Sequence, residues 1–343
     1  MRTYILRRLF FLTFVLLGVS VIMFSLLMTF SPERRAMVYV TTPQQAKDIP
    51  SLIKRYGFDQ PFYKQYGRWA KEVASGNFGY SLVASRPVSE AFWIYFPVSL
   101  ELALYAAPCI IIFGIWMGTR AGRHRNSGFD HFSRVFSIIG WSLPTFLFAL
   151  VLLMVFYGYT NWFPPGILSD ESSLYIIEHP EKFVRYTGLY SIDGILNGNL
   201  SIALDSLRHL VLPVITLTVV VCAILMRVMR SGMIEEMSKD YVTTARAKGV
   251  DENTILIKHA RRNALIPVIT VAGTLVALLM EGSVAVEIIF NRQGIGWWLA
   301  TSAIQLDMPV LMAICLFMGV VFVSVNLIVD ILYAVIDPRI RLD

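Results

Sequence analysis

Residues Leu9–Phe30 read LFFLTFVLLGVSVIMFSLLMTF, without a single charged side chain. A helix needs about 20 mostly apolar residues to cross a bilayer, and this run is long enough. Five more stretches share the pattern: no charge falls between Glu101 and Arg120, Arg134 and Asp170, Arg208 and Arg227, Arg262 and Glu281, or Asp307 and Asp330. The spacing predicts six membrane helices, at about 9–30, 98–119, 135–157, 210–230, 264–289 and 309–335. Several contain Pro or Gly, which membrane helices tolerate. The 343-residue chain is 56% hydrophobic and 16% charged, with mean hydropathy +0.60. Soluble domains are about 45–50% apolar and about 25% charged. The balance excludes a disordered chain, a nucleic-acid-binding tail protein and most soluble enzymes. The fold class is all-α, a membrane protein. Its organisation is a first helix with its N-terminus (1–30), an extracytoplasmic segment (31–97) and a five-helix core (98–343).

The net charge of +6 fits basic cytoplasmic loops as well as nucleic acid. With the N-terminus inside, the cytoplasmic segments hold Arg2, Arg7, Arg8; Arg120, Arg123, Arg125, Arg134; the basic set from Arg227 to Arg262; and Arg339 and Arg341. The outer segments after the third and fifth helices hold only Lys182, Arg185, Arg208 and Arg292. Lys and Arg in short loops set orientation, so both termini are expected in the cytoplasm. The first apolar run exceeds a signal-peptide core of about 7–15 residues and no A-x-A site follows. It is read as an uncleaved helix.

Two outer segments are long. In 31–97, Phe62, Tyr66, Trp69 and Val73 share one helical face, with Pro61 at its start and Gly76-Asn-Phe-Gly79 as the turn that ends it. The insertion 161–208 is acidic but keeps Leu, Ile and Tyr throughout, unlike a free linker. Cys109, Cys222 and Cys315 lie in apolar blocks without metal-ligand spacing and read as packing residues. The five histidines are scattered. No P-loop G-x-x-x-x-G-K-[ST] occurs, and no nucleophile–base arrangement or H-E-x-x-H appears. No catalytic residue and no metal site is expected, and the chain has no means of binding ATP by itself.

The loop 235–263 reads EEMSKDYVTTARAKGVDENTILIKHARRN. It predicts a short helix over about 238–248, a left-handed stop at Gly249, and a second helix capped by Asp251. Small Ala245 and Ala247 permit close approach of a partner, with Arg246 and Lys248 available to its acidic groups. A solvated basic connector is the plainer reading of the same residues.

Tyr241-Val-Thr-Thr-Ala-Arg-Ala-Lys-Gly249 with His259-Ala-Arg-Arg-Asn-Ala-Leu-Ile-Pro267 resembles the EAA-type loop of ABC importer permeases, most closely the oligopeptide/dipeptide/nickel family. Further matches occur in order along the chain. They are Arg7-Arg8, Gly76-Asn-Phe-Gly79 with Ser81, Pro97-Val-Ser-Leu-Glu101, Ser142-Leu-Pro144-Thr, Arg208-His-Leu-Val-Leu-Pro213, Arg227 with Arg230-Ser231, Gly294-Ile-Gly296, Asp330-Ile-Leu-Tyr333 and Asp337-Pro338-Arg339. Each is short; the ordered set covers most of the chain. The resemblance implies a pore half that pairs with a second permease, two cytoplasmic ATPases that bind ATP and Mg, and an extracytoplasmic solute-binding protein. It implies a coupling helix whose ATPase contacts are Asp240, Tyr241, Thr244, Ala245, Arg246, Ala247, Lys248 and Gly249. The motif's eponymous Glu is replaced by Thr243.

Ionisable groups within a span are expensive and mark function. Glu281 is read either as a path-lining carboxylate or as a partner to the backbone break at Gly282. Ser283, Ser142, Thr145 and Asn326 complete the candidate translocation path. Glu101 is expected to snorkel to the outer surface. Glu287 and Asp307 bracket an outer hairpin in which Asn291, Arg292, Trp297 and Trp298 are candidate binding-protein contacts; Trp93, Tyr95, Trp141 and Trp162 suggest an interfacial belt. Peptide is the first substrate expectation, with oligosaccharide and nickel as family alternatives. An ion-driven secondary transporter or a non-transporting scaffold are rival classes. The former should show inverted repeats and several buried charges, and neither is visible in the sequence.

Overall fold

A computed structural model describes residues 2–37, 40, 48–58 and 60–336. The C-terminal Asp337-Pro338-Arg339 motif and Arg341 lie outside them. Helix α1 (Arg2–Leu27) is followed by short helices α2 (Pro32–Ala36), α3 (Ile49–Tyr56) and α4 (Phe62–Ala74), and by a two-residue hairpin of β1 (Tyr80–Ser81) and β2 (Arg86–Pro87). The core contains α5 (Val88–Arg123), α6 (Gly128–Ser142), α7 (Thr145–Leu153, continued by a wide π turn to Tyr159), α8 (Asp170–Glu178), α9 (Tyr190–Leu196) and α10 (Leu200–Met237). It closes with α11 (Asp240–Ala247), α12 (Glu252–Met280, with a π turn at Ile255–Ala260), α13 (Val284–Ile289), α14 (Ile295–Ile304) and α15 (Met308–Ile336).

Among the described residues five helices are long and apolar enough to cross a membrane, and α6–α7 adds a sixth if the bent pair is one span. In lipid every backbone N–H and C=O must be satisfied within the chain, which leaves the helix as the default. Pro97 and Pro108 in α5, Pro213 in α10 and Pro267 in α12 are accommodated inside helices.

Two predicted spans are corrected. The block 135–157 is not a straight helix: α6 and α7 meet at 98°. Leu143, just before Pro144, is extended (φ −80°, ψ 119°), because the proline ring disfavours helical geometry in the preceding residue. The block 264–289 ends as a helix at Met280; Gly282, at φ +93°, turns the chain before α13.

The centre of the molecule is α5 against α10. Gly114, Gly118 and Gly122 form a stripe at four-residue spacing facing Leu225, Met229 and Met233. A Cβ on Gly118 would stand 2.6 Å from Met229 Cβ, so the backbones meet at a distance only glycine allows. Membrane helices lack a hydrophobic drive toward one another and use such small-residue stripes to gain packing. Around this pair, Leu225, Met229 and Met233 pack with Leu256, Ala260, Ala264 and Val268 of α12. Trp69 and Tyr66 of α4 pack on Phe24 of α1, with ring centroids 5.4 and 5.6 Å away. This fixes α4 to the first membrane helix.

Candidate functional site

The loop between α10 and α12 is a rigid helix–turn–helix. Gly249 takes φ +75°, and its N–H closes the turn onto the Arg246 carbonyl at 2.9 Å. The Asp251 carboxylate accepts the N–H groups of Asn253 and Thr254 at 2.9 and 3.2 Å, satisfying donors a helix start leaves open. Val242 and Ile255 are fully buried and pin α11 to α12.

The hub of the loop is Glu236, a residue outside the sequence-derived set. Its buried carboxylate accepts the Tyr241 hydroxyl at 2.7 Å and the Asn263 amide at 3.3 Å, and it pairs with Lys239. One side chain thus ties the end of α10 to α11 and α12. Burial, then the bond to Glu236, pushes the Tyr241 hydroxyl up to about 12. Tyr241 is half-buried, and its hydroxyl ties α11 to the end of α10. Arg246 is exposed and pairs along the loop with Glu252, its Nε 2.5 Å from Glu252 Oε1. Asp240, Thr244, Ala247, Lys248 and Gly249 are exposed and Ala245 is half-buried. Together with Arg246 these residues form the exposed face of α11 and its turn.

A buried ionic network holds the end of the molecule away from α11. Glu101 is 1% exposed and Arg292 is fully buried, with Nη2 and Oε2 3.2 Å apart. Glu101 also accepts the Ser191 N–H at 2.8 Å and hydroxyl at 2.7 Å. Arg292 Nη1 donates to the Gly166 carbonyl at 3.2 Å. Glu287 accepts the Ser99 hydroxyl at 2.7 Å and the Trp297 N–H at 2.9 Å. The network joins α5, the insertion 161–208 and the α13–α14 hairpin. Within the insertion, Asp193 accepts the N–H groups of Thr187 and Gly188 at 2.8 and 2.9 Å. Asp307 accepts the Ser81 hydroxyl at 2.8 Å, linking α15 to the β-hairpin.

Three expectations change accordingly. Glu101 does not snorkel. Arg292 and Trp298 are both fully buried and are not surface contacts on this chain; Trp298 stacks on Tyr95 at 5.0 Å. Asn291 is exposed and Trp297 half-buried. At the opposite end, Asp130 is fully buried, capped by the Asn126 N–H at 3.0 Å and paired with Arg230, whose Nη2 lies 2.9 Å from Oδ2. Arg8 pairs with Asp330 at 2.7 Å.

The path candidates fall at three places. Ser142 and Thr145 flank the α6–α7 bend, Glu281 and Ser283 flank Gly282, and Asn326 is half-buried on α15. No hydrogen bond joins these places among the described residues. Nor, among those residues, do three His, Cys, Asp or Glu side chains gather as a metal-binding group.

Residues 110–342 match the family described as "Binding-protein-dependent transport system inner membrane component". The chain is 34% identical to the dipeptide transport system permease protein of Alkalihalophilus pseudofirmus, over 99% of this chain and 100% of that one. It is 37% identical to the di/tripeptide transport system permease protein of Pseudomonas aeruginosa over 99% of each chain. Identity to a probable D,D-dipeptide transport system permease protein of Escherichia coli is 38%, over 85% of this chain and 84% of that one.

Proposed function

The chain belongs to the binding-protein-dependent transport system inner membrane components, and from that membership we propose that it forms half of a pore importing short peptides. It is a permease subunit of an ABC transport system, a multi-pass inner-membrane protein working within a larger complex, and it has no ATPase site of its own.

Both termini face the cytoplasm in this reading, which puts α11 on the side where ATP is available. The partners are a second permease, two ATPases that bind ATP and Mg, and a solute-binding protein outside. The α11 helix enters the ATPase and moves with it. Because Glu236 and Val242 bind α11 to the ends of α10 and α12, displacement of α11 is passed to two membrane helices instead of being absorbed by a slack loop. The transported peptide and ATP then shift the pore between inward- and outward-facing states only as far as each binds one state better. Peptide cargo is supported by the names of the relatives, each a permease for dipeptides, tripeptides or D,D-dipeptides.

The observation that carries the mechanism is the tethered α11 turn. The test is gentle purification of this chain from its own membranes with mass spectrometry of what accompanies it. A second permease and P-loop ATPases in stoichiometric amounts are expected. Isolation alone, or as a homo-oligomer that still moves solute, overturns the reading.

A further inference from the structure

A cavity of about 570 Å³ lies between α5 and the first turns of α12, separate from the outer network. Its two ends differ in chemistry. One is lined by Ile111, Ile112 and Ile115, with Ile112 64% exposed. The other is lined by Thr119, Arg120, Arg123, His124 and Arg261. No carboxylate lines it among the described residues.

The cations are held in place. Arg120 sits over the Phe129 ring at 5.0 Å and the Trp116 ring at 6.0 Å. Arg123 Nη2 donates to Asn253 Oδ1 at 3.1 Å. Glu252, beside Asn253, is taken by Arg246. Two buried polar atoms of the lining, Thr119 Oγ1 and Arg261 Nε, have no hydrogen-bond partner among the described residues. Buried donors are ordinarily satisfied, so the site is short of an acceptor.

We propose that this cavity binds the phosphate headgroup of an anionic phospholipid, with an acyl chain laid along the isoleucines. Guanidinium forks match phosphate oxygens in geometry and charge. Basic pockets between membrane helices bind such headgroups. A free phosphate would meet the arginines but leave the apolar end uncovered, whereas a lipid satisfies both ends at once. The site braces α12 against α5 one turn from the loop, since Leu256 lines the same cavity. Assignment to the cytoplasmic leaflet rests on the orientation proposed above; the binding chemistry does not.

The test is native mass spectrometry of the complex purified from membranes that hold both phosphatidylglycerol and phosphatidylethanolamine. The wild type is expected to retain phosphatidylglycerol. The variant Arg120→Gln/Arg123→Gln/Arg261→Gln should retain about tenfold less or lower still, because each removed arginine weakens attraction to an anionic lipid. Arg185→Gln, on the insertion 161–208 and away from the cavity, should retain it as the wild type does. As a second measurement, phosphatidylglycerol titrated into phosphatidylcholine nanodiscs should raise the melting temperature of the wild-type complex. Equal retention by the triple variant, retention of phosphatidylethanolamine instead, bound inorganic phosphate without lipid, or no shift in melting temperature would overturn the proposal. A complex that keeps the lipid yet moves no peptide would count only against the transport reading.

Discussion

Gly249 combines φ +75° with open space, nothing lying within 4 Å of where a Cβ would stand. Backbone conformation, not room, selects glycine there. A β-branched residue in the left-handed region costs about 1–2 kcal/mol, so Gly249→Val is expected to distort or loosen the turn. The complex should still assemble while peptide uptake per ATP hydrolysed falls; unchanged stoichiometry would refute this role. Glu236→Ala tests the hub. It leaves the half-buried Tyr241 hydroxyl without its acceptor, at about 1 kcal/mol for a lost hydrogen bond, while exposed Asn263 turns to water, and should likewise lower uptake more than ATPase activity. The ionic pair behaves differently. Arg292→Met strands a buried Glu101, which costs about 3–5 kcal/mol, and should lower the melting temperature sharply; Glu101→Leu/Arg292→Met should recover part of the loss. At this scale the sequence was legible where chemistry is local. Gly249 and Asp251 announce their turn and cap through residue type alone. Glu101 and Arg292 are 191 positions apart, and no local pattern says they meet, so both were read as outer-surface groups.

Among the elements, the glycine stripe of α5 explains how α5 and α10 approach closely. Gly118→Val would place a branched side chain where Met229 Cβ stands. Overpacking of this kind costs about 1–3 kcal/mol or more, and the expected result is loss of folded protein in detergent-solubilised membranes, seen as a broadened gel-filtration profile. Retained yield and profile would contradict the packing argument. The stripe is written in the sequence at four-residue spacing, yet charge-free length alone does not single it out. The α6–α7 bend was also encoded, in Pro144 and the extended Leu143 before it. A count of uncharged residues passes straight across a proline, which is why a straight helix was expected. The α4 face was legible because Phe62, Tyr66, Trp69 and Val73 repeat with helical period, and the structure packs that face on α1.

For the whole molecule, the membrane character followed from composition, and the buried ionic network did not. Buried carboxylates and a buried arginine join segments far apart in the chain, converting the insertion 161–208 into a part of the core. The proposed orientation has its own test. Arg125→Cys is exposed in the turn between α5 and α6, on the proposed cytoplasmic side and off α11, whereas Cys222 is buried and Cys109 and Cys315 are half-buried. A membrane-impermeant maleimide should label Arg125→Cys in inside-out vesicles and not in right-side-out cells; the reverse pattern would invert the topology. The measurement that bears most directly on the account is uptake of a radiolabelled dipeptide by proteoliposomes holding the purified complex, with ATP and the solute-binding protein on their proper sides. Uptake that requires both, and that persists when ion gradients are collapsed, is the predicted result. Uptake driven by an ion gradient without ATP would contradict it.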